Sequence, residues 1–167
     1  MNQHHEWDYG TADYPQAGEE GIAFWARNYL LDRKIPARFF YYFTATDTLV
    51  PVGGLICFGL TRDQDMVCLE KVDSSVWEVS SRSDGAHSLI NSNLDAFLEI
   101  MAICEEVISG HERVNDDEQE LEEEFIERWI ETSNDLRGRI AIIDPPSLFD
   151  GSYWSDFLSD VANGDYE

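Results

Sequence analysis

Carboxylate pairs are the residues of this chain whose types and spacing first indicate chemistry. Asp63 and Asp65 stand two positions apart, and Asp116 and Asp117 are adjacent. Paired carboxylates serve enzymes as general acid and base, or bind divalent cations. A calcium-binding loop also requires oxygen ligands at alternate positions around a central glycine, and residues 63–67 contain no glycine. The pairs alone therefore predict neither a metal site nor a catalytic site.

The histidines and serines show no catalytic spacing either. His4, His5, His87 and His111 are scattered over polar segments, without the close pairing on one helix that zinc sites use. The chain has no Gly-x-Ser-x-Gly elbow, and a tight turn before a strand explains the two glycines at positions 53–54. We therefore expect a protein that is not an enzyme and has no cofactor.

The net charge excludes several classes of partner. The chain has 34 acidic and 11 basic residues, which give a formal net charge of −23 at pH 7. The phosphates of nucleic acids and of anionic membranes would repel such a chain. The excess is concentrated after residue 83, where 22 acidic residues stand against 4 basic ones. We expect a cationic partner, and neither nucleic acid nor a membrane.

Hydrophobic periodicity predicts the elements that must position the charged residues. Helical spacing extends over residues 19–31, 94–110 and 117–134, and a short helix follows Ser152. Strand-like runs lie at residues 39–43, 55–60, 66–69 and 76–79. The fold class is therefore α+β, with an N-terminal helix and an antiparallel sheet of about four to six strands that C-terminal helices cover. We expect one domain at residues 18–167, after an extension at residues 1–17.

The start of one predicted helix and the N-terminal extension allow more specific predictions. Ser92 and Asp95 are typical of a capping box at the start of the helix over residues 94–110. The extension is expected to be ordered only if other residues cover Trp7, Tyr9 and Tyr14.

The helix predicted over residues 117–134 separates apolar from acidic residues. Leu121, Phe125 and Trp129 recur at i, i+4 and i+8 and are expected to face the core. On the opposite side, five carboxylates fall within about 80° of one another. These are Asp116, Glu120, Glu123, Glu127 and Glu131.

Two isoleucines flank this acidic stripe and make it a candidate contact surface. Ile126 and Ile130 lie beside the carboxylates, as desolvated anchors of protein interfaces do. Solvated helix faces often carry runs of charge, so a plain solvent-exposed face is the alternative interpretation. We predict that the stripe and the two isoleucines bind the partner, with Asp63 and Asp65 contributing.

The cysteines indicate a reducing compartment. Cys57, Cys68 and Cys104 lie in apolar runs and lack a Cys-x-x-Cys spacing, which is typical of buried free thiols. The N-terminus shows no signal region, and no stretch reaches the roughly 18 apolar residues of a membrane span. Cytoplasmic location is therefore the expectation.

Four stretches resemble the SUKH superfamily, and within it the fourth branch of bacterial immunity proteins found beside polymorphic toxins. They are residues 31–36 with 39–40; residues 55–59 leading through 63–65 to 67–70 and 76–77; residues 89–98; and residues 143–145 with 151–154 and Gly164. The chain departs from the family in the acidic turn at residues 61–65, where a glycine-rich turn is common. Residues 110–124 are also unusually charged.

The resemblance implies an antitoxin that binds and inhibits a cognate toxin, often a nuclease or a nucleic-acid deaminase. Family positions such as Pro36, Gly59 and Trp77 look structural, and the resemblance names no catalytic residue. Two alternatives from other classes remain open: an adaptor with another basic partner, and a small metal-dependent hydrolase. A DNA mimic is a variant of the antitoxin hypothesis, in which the spacing of the acidic residues imitates phosphates.

Overall fold

A computed structural model of the protein describes residues 10–12, 14, 22–82, 85–112 and 122–166. Its helices and strands follow one another in this order: α1 (Ile22–Asp32), β1 (Arg38–Phe39), β2 (Phe43–Val52), β3 (Leu55–Leu60), β4 (Met66–Glu70), β5 (Val76–Val79), β6 (His87–Asn91), α2 (Leu94–Glu112), α3 (Glu122–Ile143), a 3-10 helix (Pro145–Ser147) and α4 (Tyr153–Asn163). The α+β class predicted from the sequence is confirmed.

The six strands of this part of the chain form one antiparallel meander in the order β1 to β6. The predicted strand over residues 39–43 is wrong, because Phe40 adopts a left-handed φ of 44° and turns the chain between β1 and β2. Strands β2 and β6 were not predicted. After Phe43 the side chains of β2 are exposed or only partly buried, so the strand shows no alternating pattern of burial.

A glycine in β3 makes room for an aromatic side chain of the neighbouring strand β2. A Cβ added to Gly59 in β3 would lie 2.1 Å from Cε2 of Phe43, which is fully buried at the start of β2. No side chain fits there unless the ring moves. The structural role expected for Gly59 therefore has a steric cause.

The two faces of the sheet bury different apolar clusters. The main core lies between the sheet and the helices, and includes Phe58 and Val76 of the sheet and Phe97 of α2. Alternate strand residues, among them Leu55 and Cys57, form a smaller cluster with Cys68, Val79 and the partly buried Trp77. All three cysteines are buried and free, as predicted.

Helix α3 is longer at its C-terminal end than the predicted helix over residues 117–134. It continues through Gly138 to Ile143, because Leu136 and Ile140 extend its buried face and Pro145 stops it only afterwards. Residues 117–121 of the predicted helix lie outside the described residues.

A buried polar junction holds the end of α3 to the sheet and to α4. The Asp144 carboxylate accepts hydrogen bonds from Asn91 Nδ2 (2.8 Å), Ser92 N (2.8 Å) and Ser92 Oγ (2.6 Å). Asn91 Oδ1 in turn accepts a hydrogen bond from Trp154 Nε1, at 2.8 Å. Residues of two of the stretches that resemble the immunity family, 89–98 and 143–145 with 151–154, therefore meet at one structural contact.

The predicted capping box at Ser92 and Asp95 is wrong. Asn93 caps α2 instead, since its Oδ1 accepts a hydrogen bond from Ala96 N at 2.8 Å. The Ser92 hydroxyl is engaged by Asp144, and Asp95 pairs with Arg33 at 3.1 Å.

One aromatic residue from the N-terminal segment belongs to the main core. Tyr14 is completely buried, and its hydroxyl donates a hydrogen bond to the carbonyl of Phe58 at 2.8 Å. Nearby, Ala12 N donates to the carbonyl of Ile35 at 2.7 Å. Trp7 and Tyr9 lie outside the described residues.

Candidate functional site

Helix α3 presents one buried and one acidic face. Trp129, Leu136 and Ile140 are buried against the core. Glu123, Glu127 and Glu131 are exposed, and their i, i+4 spacing puts them in one row on the other side of the helix. We call these three residues the acidic row. Asp116 and Glu120, the other members of the predicted stripe, lie outside the described residues.

Apolar side chains flank the acidic row. Ile126 and Ile130 are 48% and 46% exposed, an unusual exposure for isoleucine on a helix that also supplies core residues. Phe125, predicted to be buried, is 39% exposed and contacts the ring of Trp129 edge-on. The prediction of a buried Phe125 is therefore wrong, whereas that of a buried Trp129 is confirmed.

Among the described residues, none compensates the charge of the acidic row. Within residues 122–166 and the rest of the described chain, no basic side chain comes within ion-pair distance of Glu123, Glu127 or Glu131. Arg128 is directed toward the core side, with its guanidinium 5.6 Å from the ring centres of both Phe125 and Trp129. The row therefore presents a negative potential to whatever approaches α3.

The two predicted acidic residues of the β3–β4 loop have different surroundings. Asp63 is exposed. Asp65 is half-buried, and its Oδ1 accepts hydrogen bonds from Ser81 N (2.8 Å) and Ser81 Oγ (3.0 Å). Asp65 thus ties the loop to the segment after β5, and Asp63 stands at the loop surface.

A third carboxylate near this loop was missed in the sequence. Glu78 of β5 lies on the same strand face as the buried Val76, and its pKa is raised by burial and by the charges of Asp65, Asp156 and Asp63. Strand alternation in Val-Trp-Glu-Val could have revealed it, since it puts Glu78 on the core side.

Arg62 compensates part of a second acidic cluster, which consists of Asp63, Asp65, Glu78, Asp156 and Asp160. Arg62 Nη1 pairs with Asp160 Oδ2 at 3.0 Å, and the hydroxyl of Tyr42 also donates to that carboxylate. Burial and this hydrogen bond raise the pKa of Tyr42, so the phenol stays protonated. In the described regions, no hydrogen bond or ion pair joins the cluster to the acidic row of α3.

Among the residues that the structure describes, no group of three or more histidine, cysteine, aspartate or glutamate side chains is arranged to bind a metal ion. None of the described helices is long and apolar enough to cross a bilayer.

Comparison with known proteins gives one match. The model of the SUKH-4 immunity protein family matches residues 42–160, which is more than two thirds of the chain. The match includes β2 to α4 except for the last residues of that helix, and thus the buried junction, the β3–β4 loop and all of α3. No curated protein and no solved structure matches the chain.

Proposed function

The chain belongs to the SUKH-4 immunity protein family, and on that premise we propose that it binds a cognate toxin and neutralises it by contact, without catalysis of its own. The observation that supports this mechanism most directly is the acidic row of α3, with which no described basic side chain pairs, beside two exposed isoleucines.

The acidic row raises the rate at which the toxin associates with this protein. Carboxylates that no neighbouring cation neutralises attract a basic surface over about a Debye length, roughly 8–10 Å at physiological salt. Such steering raises association rates between oppositely charged proteins by orders of magnitude. Glu123, Glu127 and Glu131 are held on one rigid helix, so the attraction also orients the partner.

The isoleucines supply the lifetime of the complex. Ile126 and Ile130 each still expose nearly half of their side chain, and removing that apolar surface from water stabilises a complex at roughly 25 cal/mol per Å². Apolar anchors beside charges are typical of the centre and rim of protein interfaces.

The proposed partner is a toxin that acts on nucleic acid, a nuclease or a deaminase. Enzymes of this kind bind phosphates with a basic groove, and an acidic helix seated in that groove would exclude the substrate by bulk and by charge. Asp116 and Glu120 would extend the row, and Asp63 would add a contact from the β3–β4 loop, with Asp65 as a positioning residue.

Co-expression with the toxin encoded beside this gene tests the proposal. Cells that produce the toxin alone should stop growing, and cells that also produce this protein should grow. A catalytically inactive toxin should co-elute with the protein in size-exclusion chromatography. Absence of both protection and a complex would contradict the proposed function.

A further inference from the structure

A pocket on the sheet lies away from the acidic row. It has a volume of about 500 Å³, within the roughly 300–1,000 Å³ usual for ligand sites. Its lining comes from the β2–β3 turn, from the strand ends around the β4–β5 turn and from the start of β6. These residues are Gly53, Leu55, Glu70, Val72, Asp73, Ser75, Trp77 and His87.

The pocket combines apolar walls with two carboxylates. Leu55 and Trp77 belong to the smaller cluster, on the sheet face opposite the main core, and Val72 is 91% exposed at the β4–β5 turn. Glu70 and Asp73 stand on either side of Val72. An aliphatic chain with a cationic end would meet both kinds of surface at once.

Hydrogen bonds fix the polar side of the pocket. Trp77 Nε1 donates to Ser75 Oγ at 2.7 Å, and Ser75 N donates to Asp73 Oδ1 at 2.9 Å. The Ser75 hydrogen bonds lower the pKa of Asp73, so this carboxylate stays ionised at neutral pH. Glu70 Oε1 accepts from Val72 N at 3.2 Å.

The neighbouring cation is directed elsewhere. Lys71 lies between Glu70 and Val72 in sequence, yet it is not part of the lining, and its Nζ lies 5.9 Å from the ring centre of Trp25 in α1. The carboxylates of the pocket are therefore not neutralised by the lysine of their own turn.

We propose that this pocket receives an arginine side chain from a protein partner. A guanidinium stacks on an aromatic face, is weakly hydrated and binds carboxylates through a planar fork, which suits Trp77 with Glu70 and Asp73. The apolar stem would pack on Leu55 and Val72. The pocket would be a second contact, separate from α3, and it rests on the proposed function only in taking the partner to be a protein with a basic surface.

Titration with N-acetyl-arginine amide, followed by the tryptophan indole resonances of the full-length protein in NMR, tests the assignment without a toxin. The Trp77 indole signal, identified with Trp77→Phe, should shift saturably. N-acetyl-citrulline amide, which has nearly the same shape but no charge, should cause no saturable shift.

Two variants locate the effect. Glu70→Gln with Asp73→Asn keeps the acceptor oxygens of the turn and should weaken binding of the amide at least fivefold. Asp150→Asn, at an exposed turn outside both proposed contact surfaces, should leave it unchanged. The assignment is overturned if the Trp77 signal does not saturate, if citrulline binds equally well, or if the double variant binds as the parent does. None of these outcomes bears on co-expression with the toxin, so failure of the pocket and failure of the proposed function remain distinguishable.

Discussion

Two regions of this molecule use carboxylates in opposite ways. At the buried junction, Asp144 is 3% exposed and accepts three hydrogen bonds from Asn91 and Ser92. On α3, Glu123, Glu127 and Glu131 are exposed, and no described basic side chain pairs with them. A buried charge must be satisfied by its own chain to be tolerated, whereas an exposed and unsatisfied charge remains available to another molecule.

The difference separates stability from recognition. Changes at the junction should lower the free energy of unfolding, with loss of binding only as a consequence. Changes in the acidic row should leave folding intact and alter association.

The largest effect is expected for Asp144→Ala. The substitution leaves the buried amide of Asn91 and the backbone N–H of Ser92 without their acceptor, which should lower the free energy of unfolding by about 3–5 kcal/mol. Urea denaturation measures it. Asp150→Ala, at an exposed turn, is the control and should change stability by less than about 0.5 kcal/mol. Equal losses of stability in the two variants would contradict the structural role of the buried Asp144 carboxylate.

A smaller loss is expected for Gly59→Ala. The new methyl group would collide with the ring of Phe43, and overpacking of this kind costs about 1–3 kcal/mol. Gly138→Ala on α3 is the matched control, because a Cβ there meets nothing within 4 Å. It should stabilise the protein by up to about 1 kcal/mol through helix propensity. Thermal unfolding should therefore show a lower melting temperature for Gly59→Ala and a higher one for Gly138→Ala. Equal losses in the two variants would contradict the steric role of Gly59.

Glu78 is intermediate between the buried Asp144 and the exposed acidic row, because it is half-buried and lies beside other acidic residues. Because its pKa is raised in the folded state, its ionisation opposes folding once the pH exceeds the ordinary glutamate value of about 4.3. Glu78→Gln should therefore raise the urea midpoint at pH 7, by less than Gly59→Ala lowers it. The gain should disappear as the pH falls below that ordinary value. A gain independent of pH would show that packing, not charge, is responsible.

The smallest effect on folding is expected in the acidic row itself. Replacing Glu123, Glu127 and Glu131 together by glutamine removes two like-charge i, i+4 contacts, each worth about 0.2–0.5 kcal/mol. The variant should be slightly more stable than the parent in urea at low salt, and this gain should diminish as salt is added. A clear loss of stability would mean that the row serves the fold.

The sequence predicted those elements whose burial follows a regular period. Helix α2 and strands β3 to β5 show such periods, and their predicted positions agree with the structure to within a few residues. The exposed side of α3 could be predicted too, since Trp129 fixes which face is buried.

The missed features depend on contacts between distant residues. Strand β2 mixes polar and apolar residues without alternation and is largely exposed, and its place in the sheet is defined by pairing with β1 and β3. Serine is a common N-cap residue, but the Ser92 hydroxyl donates its hydrogen bond to Asp144, which is distant in sequence. Asn93 therefore caps α2. Phe125 lies at the helical spacing of a core residue. It stands in the first turn of α3, however, where it packs edge-on against Trp129 and stays 39% exposed.

Association kinetics with the toxin show directly whether the acidic row of α3 is the surface that attracts and contacts it. Glu123, Glu127 and Glu131 changed together to lysine should slow association tenfold or more at about 20 mM salt, with the loss shrinking as salt is added. The matched control changes the exposed Asp32, Asp47 and Asp150 to lysine, which alters the net charge equally at other sites. The control should change the association rate much less, because its charges lie away from α3. Equal slowing by both variants would show that net charge alone attracts the toxin and that α3 is not the contact surface.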